Sequence, residues 1–215
     1  YHLKILTDME ELLNIKIEGP LLHETCTDLD LQLHSLYFER GNYKIQNGDY
    51  DSAIKDLTRT LEIKPDKIKA YHKRALAELL NKKTNNALKD LKIYLEHEPK
   101  DDTAYALRAK VYEEKGDRDS AVKDYNKAIK LNPNCFEHHK YFGIFLFNQG
   151  VYETAVFSFQ KALEKKKDDT ACLYYLAKIF CLCPEKNLMR HTEGLNYAIK
   201  LCSISPSVDN LELLA

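Results

Sequence analysis

Residues 102–135 read DTAYALRAKVYEEKGDRDSAVKDYNKAIKLNPNC, and their landmarks recur along the chain at intervals of 34 positions. Small residues stand at Gly41, Ala75, Ala109, Gly143 and Ala177, and again at Ala53, Ala87, Ala121 and Ala155. Pro65, Pro99 and Pro133 keep the same interval. Each unit therefore has two close-packing points and one helix stop in fixed phase, which predicts helix A, a short turn, helix B and a break. Small residues belong where the two helices cross, because large ones would push the hairpin apart.

Working outward, residues 34–67 carry Tyr37, Gly41, a turn around Gly48, Ala53, Leu57 and Pro65. Residues 68–101 carry Tyr71, Ala75, Ala87, Leu91 and Pro99, and residues 136–169 carry Gly143, Gly150, Ala155, Phe159 and Ala162. The central unit adds Tyr105, Tyr112, Gly116, Tyr125 and Ala128. This combination closely resembles the tetratricopeptide repeat family. The resemblance implies an all-α fold, a right-handed superhelical solenoid of antiparallel helix hairpins.

On this reading residues 1–33 are an N-terminal helical segment. Residues 34–206 are the repeat array, in units 34–67, 68–101, 102–135, 136–169 and 170–206. The fifth unit begins with Leu173, Leu176, Ala177 and Phe180, then meets Cys183-Pro184-Glu185-Lys186-Asn187. That stretch predicts a longer loop inserted before a second helix around Gly194 to Cys202. Residues 207–215 read as the start of a truncated further helix. An opening without Met and a close on Leu213-Leu214-Ala215 suggest a fragment whose last apolar face wants a neighbour. The family pattern is broken at Lys44 and Glu78, where an aromatic is expected late in helix A, and at Lys167, where a closing proline is expected; the first two predict looser hairpins.

The chain has 215 residues, 44% of them hydrophobic, enough for a continuous apolar spine between stacked hairpins. A net charge of -1 gives no global attraction to nucleic acid or to an anionic membrane. No apolar run is long enough to span a bilayer. Six cysteines occur without a CxxC pair and read as buried free thiols, favouring a reducing compartment and a cytoplasmic location, with nucleus or cilium as other settings. Cys181, Cys183 and His191 match no standard zinc spacing, and no metal or cofactor is expected. There is no GxSxG, P-loop or HExxH, and the adjacent His138 and His139 diverge on a helix, so no enzyme is expected.

Arg40, Arg74 and Arg108 occupy one place in three successive A helices, and Asp56, Asp90 and Asp124 follow each by 16 residues. In the fourth unit both partners vanish together, replaced by Phe142 and Ser158. Joint loss is what a half-buried ion pair predicts, since a lone desolvated charge costs several kcal/mol. The rival reading makes the arginines an evenly spaced stripe for phosphate or carboxylate.

In the family the inner face is lined mostly by helix A and holds a partner peptide or helix. The resemblance projects that face onto Asn42; Lys69, His72, Lys73 and Leu76; Leu107 and Lys110; Lys140, Tyr141 and Ile144; and Tyr174, Tyr175 and Lys178. Lysines alternating with apolar and aromatic anchors suit an acidic segment carrying a few bulky side chains. Glu39, Glu113, Glu114 and Glu137 mix the sign of the same face. A carboxylate clamp for chaperone C termini is disfavoured. Only Asn42 matches in the first unit, Phe38 stands where the first clamp lysine belongs, Lys73 replaces the second-unit Asn, and Thr103 and Leu107 replace the third-unit basic pair. The expected function is a protein-protein interaction scaffold or adaptor. The other readings are a structural segment packed permanently in a large ciliary or cytoskeletal assembly, able to associate end to end, and, less favoured by these residues, a co-chaperone.

Overall fold

The computed structural model describes residues 26–183 and 188–206, with side chains from residue 33. The expectations for residues 1–25, for 184–187 and for 207–215 lie outside the described residues. Among the described residues there are ten helices and no strand. They are α1 (Cys26–Gln46), α2 (Tyr50–Ile63), α3 (Ile68–Leu80), α4 (Thr84–His97), α5 (Asp102–Glu114), α6 (Arg118–Leu131), α7 (Phe136–Asn148), α8 (Tyr152–Lys165), α9 (Thr170–Leu182) and α10 (His191–Ile204). The chain is an all-α helical repeat solenoid, built from two compact units that divide between Gly116 and Asp117.

The turn after each A helix sets the hairpin. Gly48, Gly116 and Gly150 take φ of 79°, 74° and 76°, and Lys82, at the matching place in the second unit, is forced to 60°. Glycine occupies that region at no steric cost, whereas a lysine is strained there. Lys82→Gly should raise stability by about 1 kcal/mol in urea denaturation, since the exposed Lys82–Glu114 pair at 3.1 Å that it removes contributes little. No change, or a loss, would show that the turn is not strained. The helices that follow are capped where the sequence supplies aspartate. Asp49 accepts from Ser52 N, Asp117 from Ser120 N, Asp101 from Thr103 N and Ala104 N, and Asp169 from Cys172 N.

In the first unit α1 packs on α2, α3 on α4, and each hairpin on the helix that follows it. Leu57, Leu61 and Ala70 form one apolar layer with Phe38, Ile45 and Tyr71 against it. The next layer contains Ala75, Leu79, Ala87, Leu91, Tyr94, Leu95, Ala104 and Val111. A polar seam tracks the turns: Asn81 Nδ2 and Lys83 Nζ both reach Asp51 Oδ1, at 2.7 and 2.8 Å, and Lys115 Nζ donates to Asn85 Oδ1.

The second unit is richer in rings. Tyr125, Phe145, Phe159, Phe180, Leu173, Leu176, Ile179 and Leu201 are fully buried. Gly143 shows why that position is small, because a Cβ there would lie 2.7 Å from Cε1 of Phe159. At the matching Gly41 the neighbour is Leu57 Cγ at 2.9 Å. Three residues connect α7 to α8, but eight connect α9 to α10. The long connection is anchored by Arg190 N donating to Phe180 O at 3.0 Å and by the Arg190 guanidinium over the Phe180 ring.

Candidate functional site

The arginines named in the sequence lie on α1, α3 and α5. Arg40 grips Asp56 with two bonds, Nε to Oδ2 at 2.8 Å and Nη2 to Oδ1 at 2.6 Å. Arg74 does the same to Asp90 at 2.7 and 2.9 Å and adds a bond to Thr58 Oγ1 at 3.1 Å. Bidentate geometry on a nearly buried carboxylate ties helix A to helix B, and it occupies the guanidinium edge that an external phosphate would need. Arg108 stacks beside Tyr105 and Tyr112, and Asp124 is buried in α6. In α7 and α8, Phe142 is buried and the Ser158 hydroxyl turns back to Thr154 O at 3.0 Å.

The two positions that break the aromatic pattern act on these pairs. Lys44 places a second cation on Asp56, at 3.1 Å from Oδ2. Glu78 does the reverse: it is 5% exposed, its Oε2 has no hydrogen-bond partner, and its neighbour is Asp90. Burial, reinforced by Asp90 and opposed by Arg74 and Lys83, raises the Glu78 carboxyl to about 7. The sequence marked Lys44 and Glu78 as poor packing; their charge effect on the adjacent pair was the signal it missed.

On α3, Lys69, His72, Lys73 and Leu76 are spaced three, four and seven apart, so they share one stripe of the helix. Lys69 is exposed, Lys73 is half-buried, and neither has a carboxylate partner among the described residues. His72 lies 4.9 Å from the Tyr94 ring with a buried Nε2 that has no partner, and burial lowers its pKa. Tyr94 in turn donates to Asp101 Oδ2 at 2.6 Å. Asn42 on α1 also holds a buried Oδ1 without a partner. Leu76 and Lys110 are half-buried, and Leu107 packs against the second apolar layer.

In the second unit the projected residues differ in how they are engaged. Lys140 Nζ sits 3.6 Å from Asp169 Oδ2 and over the rings of Phe136 and Tyr141, so its charge is already answered. Tyr175 stacks flat on buried Phe159 at 5.3 Å and meets Phe147 at 4.9 Å and Tyr174 at 5.4 Å. Lys178 lies over Phe147 and Tyr174 at 5.8 and 5.6 Å. Tyr141 and Ile144 are half-buried. A shallow open depression of about 430 Å³, lined by Leu163, Lys167, Tyr197 and Lys200 among others, includes none of the projected residues.

Cys172 and Cys183 are buried as expected, whereas Cys135, Cys181 and Cys202 are half-buried, and Cys172 is the most buried of the five. Burial and the adjacent Asp169 carboxylate raise its thiol to about 12, the opposite of what a nucleophile needs. No helix among the described residues is long and apolar enough to cross a membrane.

Hairpins with small residues where their helices cross define an all-α helical-repeat protein. The profile of the tetratricopeptide repeat matches residues 34–67 and again 103–135. The chain carries tetratricopeptide repeats. No curated protein matches it. Similar solved structures include the MamA protein, at 18% identity and a TM-score of 0.65, covering 80% of this chain and 92% of that one. MamA from Desulfovibrio magneticus RS-1, beginning at its residue 41, is 22% identical with a TM-score of 0.59, covering 63% and 77%. YrrB, described as a TPR protein with an unusual peptide-binding site, is 17% identical with a TM-score of 0.60, covering 82% and 89%. At these identities the likeness establishes the fold.

Proposed function

We propose that the chain is a scaffold or adaptor that holds an acidic partner segment with apolar anchors along the concave stripe of its A helices. In general terms the repeats make it a protein-protein interaction scaffold, a fold that is generally non-enzymatic. One observation carries the finer reading. The charges that join helix A to helix B are matched within the hairpin, whereas Lys69 and Lys73 on the stripe of α3 and Lys178 on that of α9 have no carboxylate among the described residues. Stripe cations left unmatched in the folded chain speed encounter with an acidic segment, and the neighbouring rings and leucines supply most of the affinity.

The test is a lysate pull-down read by mass spectrometry, comparing the chain with a Lys69→Glu, Lys73→Glu, Lys178→Glu variant of unchanged helicity. Partners that the variant loses identify what the stripes hold. A partner set retained in full would place binding on another surface.

A further inference from the structure

Two clusters in the second unit bring lysine ammonium groups and aromatic rings together, and a carboxylate completes the first but not the second. In the first, Lys140 lies over Phe136 and Tyr141, Lys166 lies over Phe136, and Asp169 completes the cluster at 3.6 and 3.5 Å from the two ammonium groups. In the second, Lys178 lies over Phe147 and Tyr174, and among the described residues no carboxylate approaches it. A ring face attracts a cation without neutralising it, so the ammonium gives up part of its water shell and keeps its full charge. The first cluster shows how this chain completes such an arrangement when it does so internally, with a charge-assisted carboxylate contact.

The second cluster is also held in place. Tyr175 is stacked parallel to Phe159, which is fully buried, and it braces Phe147 and Tyr174. Phe147 also meets Tyr152 in an edge-on contact at 5.5 Å. Rings fixed this way lose little entropy when a partner covers them. All of Phe147, Tyr174, Tyr175 and Lys178 are half-buried, leaving ring surface and the ammonium within reach of a ligand.

We propose that Lys178 with Phe147 and Tyr174 forms a docking subsite for one acidic side chain of a partner segment, the carboxylate meeting Lys178 and an adjacent bulky apolar residue lying on the rings. This subsite rests on the reading of the A-helix stripes given above and assigns one part of it. The subsite is assigned to a side-chain carboxylate by analogy with the first cluster, where the Asp169 side chain meets Lys140 and Lys166.

The experiment selects phage-displayed dodecapeptides on the whole chain and measures the winners, synthesised with amidated C termini, by fluorescence anisotropy. The selected peptides should carry an Asp or Glu beside a bulky apolar residue. Lys178→Met should weaken them roughly tenfold, and changing the peptide's Glu to Gln should weaken them equally. The two changes together should cost no more than either alone. Tyr174→Ala should weaken the same peptides while helicity is unchanged. Peptides that bind Lys178→Met unaltered, or that lose all affinity on amidation, overturn the subsite. If those peptides respond instead to Lys69→Glu, Lys73→Glu, the acidic-segment reading stands without it; if they respond to neither, or if no peptide is selected, both fall.

Discussion

Asp56→Ala with Arg40 retained should cost the folded chain about 3 kcal/mol in urea denaturation, more than the double change Arg40→Phe, Asp56→Ser. The double variant copies the solution that α7 and α8 already use, Phe142 with Ser158. The single change is severe because Asp56 serves both Arg40 and Lys44, whose side chains are only 13% and 19% exposed. Removing the carboxylate leaves two cations close together in a poorly solvated place. Asp90→Ala should cost less, because Glu78 lies within electrostatic reach of Arg74 and can take over part of the role of Asp90. Equal costs for Asp56→Ala and Asp90→Ala would mean that Lys44 and Glu78 do not act on these pairs.

Glu78 should make the stability of the chain pH-dependent in an uncommon direction. Its carboxyl is raised to about 7 in the folded chain, while in the unfolded chain it returns to the ordinary value of 4.5. Between those values the folded state retains a proton that the unfolded state has released. The contribution of this group is therefore most favourable at acid pH and is lost as pH rises through about 7. Glu78→Gln removes the titration, so the variant should gain on the order of 2 kcal/mol relative to the parent on going from pH 4.5 to pH 8. A stability difference between the two that is the same at both pH values would show that Glu78 is ionised and solvated throughout.

Much of the hairpin geometry was legible because it depends on residues that repeat. Gly48, Gly116 and Gly150 mark turns that need positive φ, Gly41 and Gly143 mark crossings without room for a Cβ, and the Arg–Asp spacing of 16 residues places partners on facing helices. Features belonging to a single hairpin were harder to read. Lys82 adopts the glycine conformation although its side chain gives no sign of it. Lys140 and Lys178 look alike in sequence, two lysines among aromatics, yet one is matched by Asp169 from the cap of the next helix and the other is not. Such differences depend on which side chains meet across helices, and a 34-residue period averages over them. The same limit applied to Glu78, whose unusual ionisation comes from burial beside Asp90 and not from its place in the repeat.

Calorimetric titration of a captured partner segment tests most directly whether unmatched stripe lysines supply the partner-binding charge. Three proteins are compared: the parent chain, a Lys69→Glu, Lys73→Glu, Lys178→Glu variant, and a Lys89→Glu, Lys92→Glu variant that reverses exposed lysines of α4. Stripe reversal should abolish the heat of binding while the α4 variant binds like the parent. Full binding by the stripe variant, with loss in the α4 variant, would contradict it.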